Sequence, residues 1–78
     1  MNKVPWTRIS LEEFVSLALL SEEDEKIIRA RAAGMSHVQQ CMVFNVSSTT
    51  LTRKIQRMRA QYNSLVPYSD KLPPNIDF

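Results

Sequence analysis

The side chains with most chemistry to offer fall in one run, Ser48-Thr49-Thr50-Leu51-Thr52-Arg53-Lys54-Ile55-Gln56-Arg57-Met58-Arg59. Leu51, Ile55, Met58, Tyr62 and Leu65 recur at the spacing of one helix face. At ~100° per residue, Thr49, Arg53 and Gln56 then point away from Leu51, with Ser48, Thr52 and Arg57 beside them. Arginine can bond a guanine twice, glutamine can bond an adenine, and threonine offers a hydroxyl and a methyl. Ser48, Thr49, Thr52, Arg53 and Gln56 are therefore the candidates for reading base edges. Lys54, Arg57 and Arg59 lie off the centre of that face and suit phosphates. Ser36 and His37 join them, at a second helix start where amides favour anions. The plain alternative is a solvated polar face, which most amphipathic helices possess.

Charge supports an anionic partner. The net charge of the 78 residues is only +2. Yet no acid occurs between Lys26 and Ser69, while Lys26, Arg29, Arg31, Arg53, Lys54, Arg57 and Arg59 all do. A one-sign stretch of that length suits a polyanion. If five or six of these cations neutralised phosphates, affinity would fall with salt at a log–log slope of about −5. Lys26, Arg29 and Arg31 can also pair with Glu22, Glu23 or Glu25 along one helix.

Other chemistries are poorly served. The chain is too short for a catalytic domain with its own cleft, and no nucleophile–base pair, glycine-rich phosphate loop or metal spacing occurs. A non-enzyme without metal or cofactor is expected. One cysteine, Cys41, excludes an internal disulfide, and with His37 alone it cannot close a zinc site. Nothing approaches the ~18 apolar residues of a membrane span, and no signal peptide is visible. The expected setting is a reducing cytoplasm.

Those side chains must be carried by helices. Ser10-Leu11-Glu12-Glu13 and Ser36-His37-Val38-Gln39 have the form of capping boxes, and Ser21 and Ser47 are two further starts. Helices are predicted over about 11–20, 22–33, 37–44 and 48–65, the second ending at Gly34. The expected fold is a small all-α four-helix domain over 11–66, with an N-terminal arm, 1–10, and an extended, proline-containing tail, 67–78. Trp6 should staple the arm to the first helix; an arm entering the minor groove with Lys3 and Arg8 is the other reading. Between helices three and four, Asn45-Val46-Ser47 offers a left-handed residue, an apolar plug and a cap. That is the design of a helix-turn-helix.

The stretch from Leu20-Ser21-Glu22 through Ile27-Ile28, Gly34-Met35-Ser36, Cys41, Phe44 and Val46-Ser47 to Thr50-Leu51 resembles the helix-turn-helix of LuxR/GerE-type regulators and of sigma factor region four. The resemblance covers about residues 20–65. It implies a sequence-specific duplex DNA-binding protein, a small bacterial or phage transcriptional regulator, here expected to be a repressor. Gln40 departs from the pattern by standing where the family buries an isoleucine, so its amide needs a partner. Val38, Met42 and Val43 are apolar where the family is polar. A homodimer is expected through Leu17, Met58, Tyr62 and Leu65, because four short helices leave apolar surface uncovered. The rival reading is a protein-interaction module gripping a partner through Val38, Met42, Val43 and the tail.

Overall fold

Four hydroxyl side chains start four helices. In the computed structural model, which describes residues 3–78, Thr7, Ser21, Ser36 and Ser47 each accept a hydrogen bond from the amide three residues on. They open α1 (Arg8–Ala18), α2 (Glu22–Ala32), α3 (His37–Val43) and α4 (Ser48–Leu65), and one 3₁₀ turn follows over Val66–Tyr68. The chain is the small all-α domain its periodicity predicts.

The first helix starts earlier than expected. Ser10 is not the cap; it is the returning partner of Thr7, whose amide donates to the Ser10 hydroxyl at 3.0 Å while the Ser10 amide donates to Thr7 Oγ1 at 3.1 Å. Both spacings satisfy a capping box, and the earlier one gains almost a turn of helix. It also leaves Glu13 to accept a hydrogen bond from Ser69 in the tail. At the other end α1 stops at Ala18, with Leu19 left-handed at φ 51°. Helix α2 ends as its glycine suggests. Gly34 has φ 101°, its amide donates to the Arg31 carbonyl, and the Met35 amide reaches the Ala30 carbonyl.

Arm and tail both complete the core. Phe14, Ile27, Ile28, Leu51, Ile55, Met58 and Tyr62 from the helices are buried together with Leu72, Ile76 and Phe78 from the tail. The Val4 amide donates to the Asn75 carbonyl and the Asp77 amide to the Val4 carbonyl, each at 2.8 Å, making a parallel bridge between Val4 and Ile76. Trp6 packs on Phe14 at 5.8 Å, as a staple would, but also meets Tyr62 at 5.5 Å and Phe78 at 5.3 Å. All the pairs among these four rings lie within 6.0 Å, mostly edge to face. Val4 is bridged, Trp6 is packed and Arg8 lies inside α1, so residues 4–8 are held against the domain. Residues 1–2 lie outside the described residues.

This closure overturns the expected dimer contact. Met58 and Tyr62 are 0% exposed, the Tyr62 hydroxyl donates to the Pro73 carbonyl, and burial pushes the phenol pKa up. Leu65 packs partly buried against the core, and only Leu17 of the four remains exposed. An apolar stripe covered by its own tail has the same periodicity as one awaiting a second chain.

Two substitutions test this packing. Phe78→Ala should cost about 3 kcal/mol in urea denaturation, a large share of the stability of so small a domain. Leu19 is 87% exposed in a left-handed conformation. Leu19→Gly should therefore stabilise by about 1 kcal/mol, since strain is relieved and almost no burial is lost.

Candidate nucleic-acid interface

The turn between α3 and α4 is built from three local interactions. Asn45 takes φ 53°, the Val46 amide donates to the Cys41 carbonyl at 3.1 Å, and Ser47 caps α4 through the Thr50 amide. Val46 and Cys41 pack, partly buried, against the core. His37 Nε2 and Ser48 Oγ lie 3.0 Å apart, tying the start of α3 to the start of α4. Both side chains were assigned to the nucleic acid, one to phosphate and one to base readout. They are also partners of each other.

Gln40 holds the pair onto the rest of the domain. It is fully buried. Its Nε2 donates to the Ile27 carbonyl at 2.8 Å, and its Oε1 accepts from Arg31 at 3.0 Å. Arg31 donates in turn to the Phe78 carbonyl at 3.1 Å. The amide thus joins α2 and α3 and, through Arg31, the tail. The sequence position of Arg31 suggests only a phosphate contact or a pairing with the acids of α2. Nothing in its local sequence marks it as the partner, although the buried glutamine announced that one was needed.

On α4 the apolar stripe faces the core, and Thr49, Thr52, Arg53 and Gln56 are exposed together on the opposite side. Arg53 has no carboxylate within 4.0 Å among the described residues. Among the described residues no hydrogen-bond acceptor engages its guanidinium. Ser36 is exposed, with its oxygen accepting the Gln39 amide as the cap of α3.

The phosphate set is smaller than the charge count suggests. Lys54 Nζ lies 2.8 Å from Glu23 and 3.6 Å from Asp24, its side chain only 22% exposed. The bond to Glu23 raises its pKa. Lys54 is therefore removed from the candidate phosphate contacts. Arg57 donates to the buried Asp24 carboxylate at 3.1 Å but stays 61% exposed, so it can still present donors outward. Lys26 pairs with Glu22, and Arg29 with Glu12 and Glu25. The stretch is free of acid in sequence but not in space: the first turn of α2 brings Glu23 and Asp24 against the flank of α4. Arg31, Arg53 and Arg59 have no acidic side chain within 4.0 Å among the described residues, and Arg31 is held instead by the main-chain oxygen of Phe78.

A second surface has a different character. Val38, Met42 and Val43 are exposed on the outer side of α3, Met42 by 77%. Met42 and Val43 border a shallow, mostly apolar groove formed with Ala30, Ala33, Gly34, Met35 and Gln39. The tail contributes nothing there, since Leu72, Ile76 and Phe78 are spent on the core. Among the described residues no helix is long and apolar enough to cross a membrane, and no group of three potential metal ligands occurs.

Gln40→Leu should cost about 1–3 kcal/mol despite its more apolar side chain, because Arg31 loses a buried acceptor. Arg31→Met should cost a similar amount. The double variant should lose clearly less than the sum of the two in urea denaturation, giving the coupling expected of direct partners.

The chain was compared with protein-family models, with curated proteins and with solved structures, and none of the three comparisons gave a match.

Proposed function

We propose that this protein binds duplex DNA sequence-specifically, placing the exposed face of α4 in the major groove, and regulates transcription as a small repressor of bacterial or phage type, acting in the cytoplasm. One observation carries the reading. Thr49, Thr52, Arg53 and Gln56 form a continuous donor-rich face on a helix whose opposite side buries Leu51, Ile55, Met58 and Tyr62, directly after a tight turn. The resemblance of residues 20–65 to LuxR/GerE-type regulators and sigma factor region four points the same way.

The decisive experiment compares variants on a panel of operator sequences selected from random duplexes. Arg53→Ala and Gln56→Ala should each flatten the preference among operators by ~1–3 kcal/mol. Lys54→Ala should leave the preference intact and lower stability instead. Equal, uniform losses for Arg53→Ala and Lys54→Ala would mean that α4 does not read bases. Binding should weaken with salt at a log–log slope of about −3, because three or four cations, not seven, are available for phosphates. Glu23→Gln should release Lys54 and steepen that slope.

The exposed apolar face of α3 favours a second reading, a protein-interaction module that uses Val38, Met42 and Val43. With Met58 and Tyr62 buried, that face and the exposed Ile9, Leu17, Leu19 and Tyr68 are the large apolar side chains open to a homodimer among the described residues. Sedimentation of Met42→Glu and Leu17→Glu, with and without operator DNA, separates these cases. Loss of a dimer in Met42→Glu alone places the two-fold contact on α3. A chain that is monomeric throughout and binds no duplex at low salt leaves the partner-protein reading.

A further inference from the structure

Arg31 and Arg59, two of the three cations of the 26–69 stretch with no acidic side chain within 4.0 Å among the described residues, face a single cleft. It opens where the end of α2, the start of α3 and the middle of α4 meet, and it measures about 220 Å³. Arg31, His37, Thr52, Gln56 and Arg59 line it over Ile55, and no carboxylate does. Asp77, whose charge acts on Arg31, lines the adjoining cleft beside Ser36 and Met35 instead.

The two guanidiniums are held in place from behind. Arg31 is fixed by the Gln40 amide and the Phe78 carbonyl. Arg59 sits over the Phe78 ring, its Cζ 5.8 Å from the centroid. Burial, and then the charge of Arg59, hold the Arg31 pKa below its ordinary value. Two like charges over a cleft that no acidic side chain lines favour the entry of an anion between them. A hydroxyl, an amide and an imidazole stand beside them to complete its hydrogen bonds. Planar guanidiniums match the oxygens of a tetrahedral oxyanion better than ammonium groups do.

We propose that this cleft is an oxyanion site that takes one phosphate group. Only the source of that phosphate rests on the DNA-binding reading: there it is a backbone phosphate bordering the groove that α4 enters. A free phosphate or phosphomonoester offers the same chemistry.

The test is a titration of the full chain with inorganic phosphate, followed by amide and side-chain NMR against a chloride control of equal ionic strength. Saturable shifts confined to Arg31, His37, Thr52, Gln56 and Arg59 are expected. Arg59→Gln should weaken binding about tenfold, the effect of one lost charge-assisted contact. Lys71→Gln, which removes the same charge from another surface, should not. Shifts that spread over every exposed cation without saturating, or binding indifferent to Arg59→Gln, would overturn the site. A short duplex that displaces the phosphate from the cleft identifies the backbone as the source. Phosphate that stays bound beside the duplex identifies a free phosphate ligand and upholds the cleft. Saturable phosphate binding in a chain that binds no duplex upholds the cleft and ends the DNA reading. A duplex weakened by Arg53→Ala but not by Arg59→Gln, with no saturable phosphate binding, does the reverse.

Discussion

A fully buried side-chain amide governs how this domain is assembled. Gln40 has no access to water, so each half of its amide must find a partner inside the protein or cost the domain roughly 1–3 kcal/mol. Both halves are satisfied, by the Ile27 carbonyl and by Arg31, and these two contacts fix α3 against α2. Arg31 passes the constraint on to the tail through the Phe78 carbonyl. The Phe78 ring then closes the aromatic cluster with Trp6, Phe14 and Tyr62. An apolar residue at position 40 would pack without specifying any of this. Here the polar group selects one arrangement of helix, helix and tail.

Electrostatics link fold and surface in a similar way. Asp24 and Glu23 serve the first turn of α2, where negative charge suits the helix N-terminus. They also take Lys54 and part of Arg57 out of the cationic face of α4. The remaining positive charge is therefore concentrated. Arg53 stands at the centre of the exposed face, and Arg31 and Arg59 stand at its margin beside His37. A chain whose cations were all free would attract any polyanion, whereas this distribution favours the exposed side of α4 and the cleft beside it.

Local signals wrote most of the architecture into the sequence, and long-range closure was invisible there. The hydroxyl caps at Ser21, Ser36 and Ser47, the left-handed Gly34 and Asn45, and the 3.6-residue stripe on α4 all depend on neighbours within a few positions. All were legible. The start of α1 was misread because Thr7 and Ser10 each begin a workable cap, and only packing chooses between them. The burial of Met58 and Tyr62 could not be read, because what covers them is the irregular tail, whose prolines signal the absence of helix but not where the segment goes. The withdrawal of Lys54 was hidden for the same reason, since the acids that take it lie some thirty positions away in sequence. Exposure of Thr49, Arg53 and Gln56 followed directly from helical phase.

The bridge between Val4 and Ile76 has a mechanical consequence. The two segments run in the same direction, so the chain leaves the bridge backwards at Val4 and forwards at Ile76. Tension drawn through residues on either side would load both backbone bonds lengthwise and together, instead of peeling them apart one at a time. Trp6, Phe14 and Tyr62 fall within the stretch the bridge closes, and Phe78, packed on all three, lies just beyond Ile76. A domain with so little regular structure at its ends would thus resist a pull along its chain better than its small size suggests.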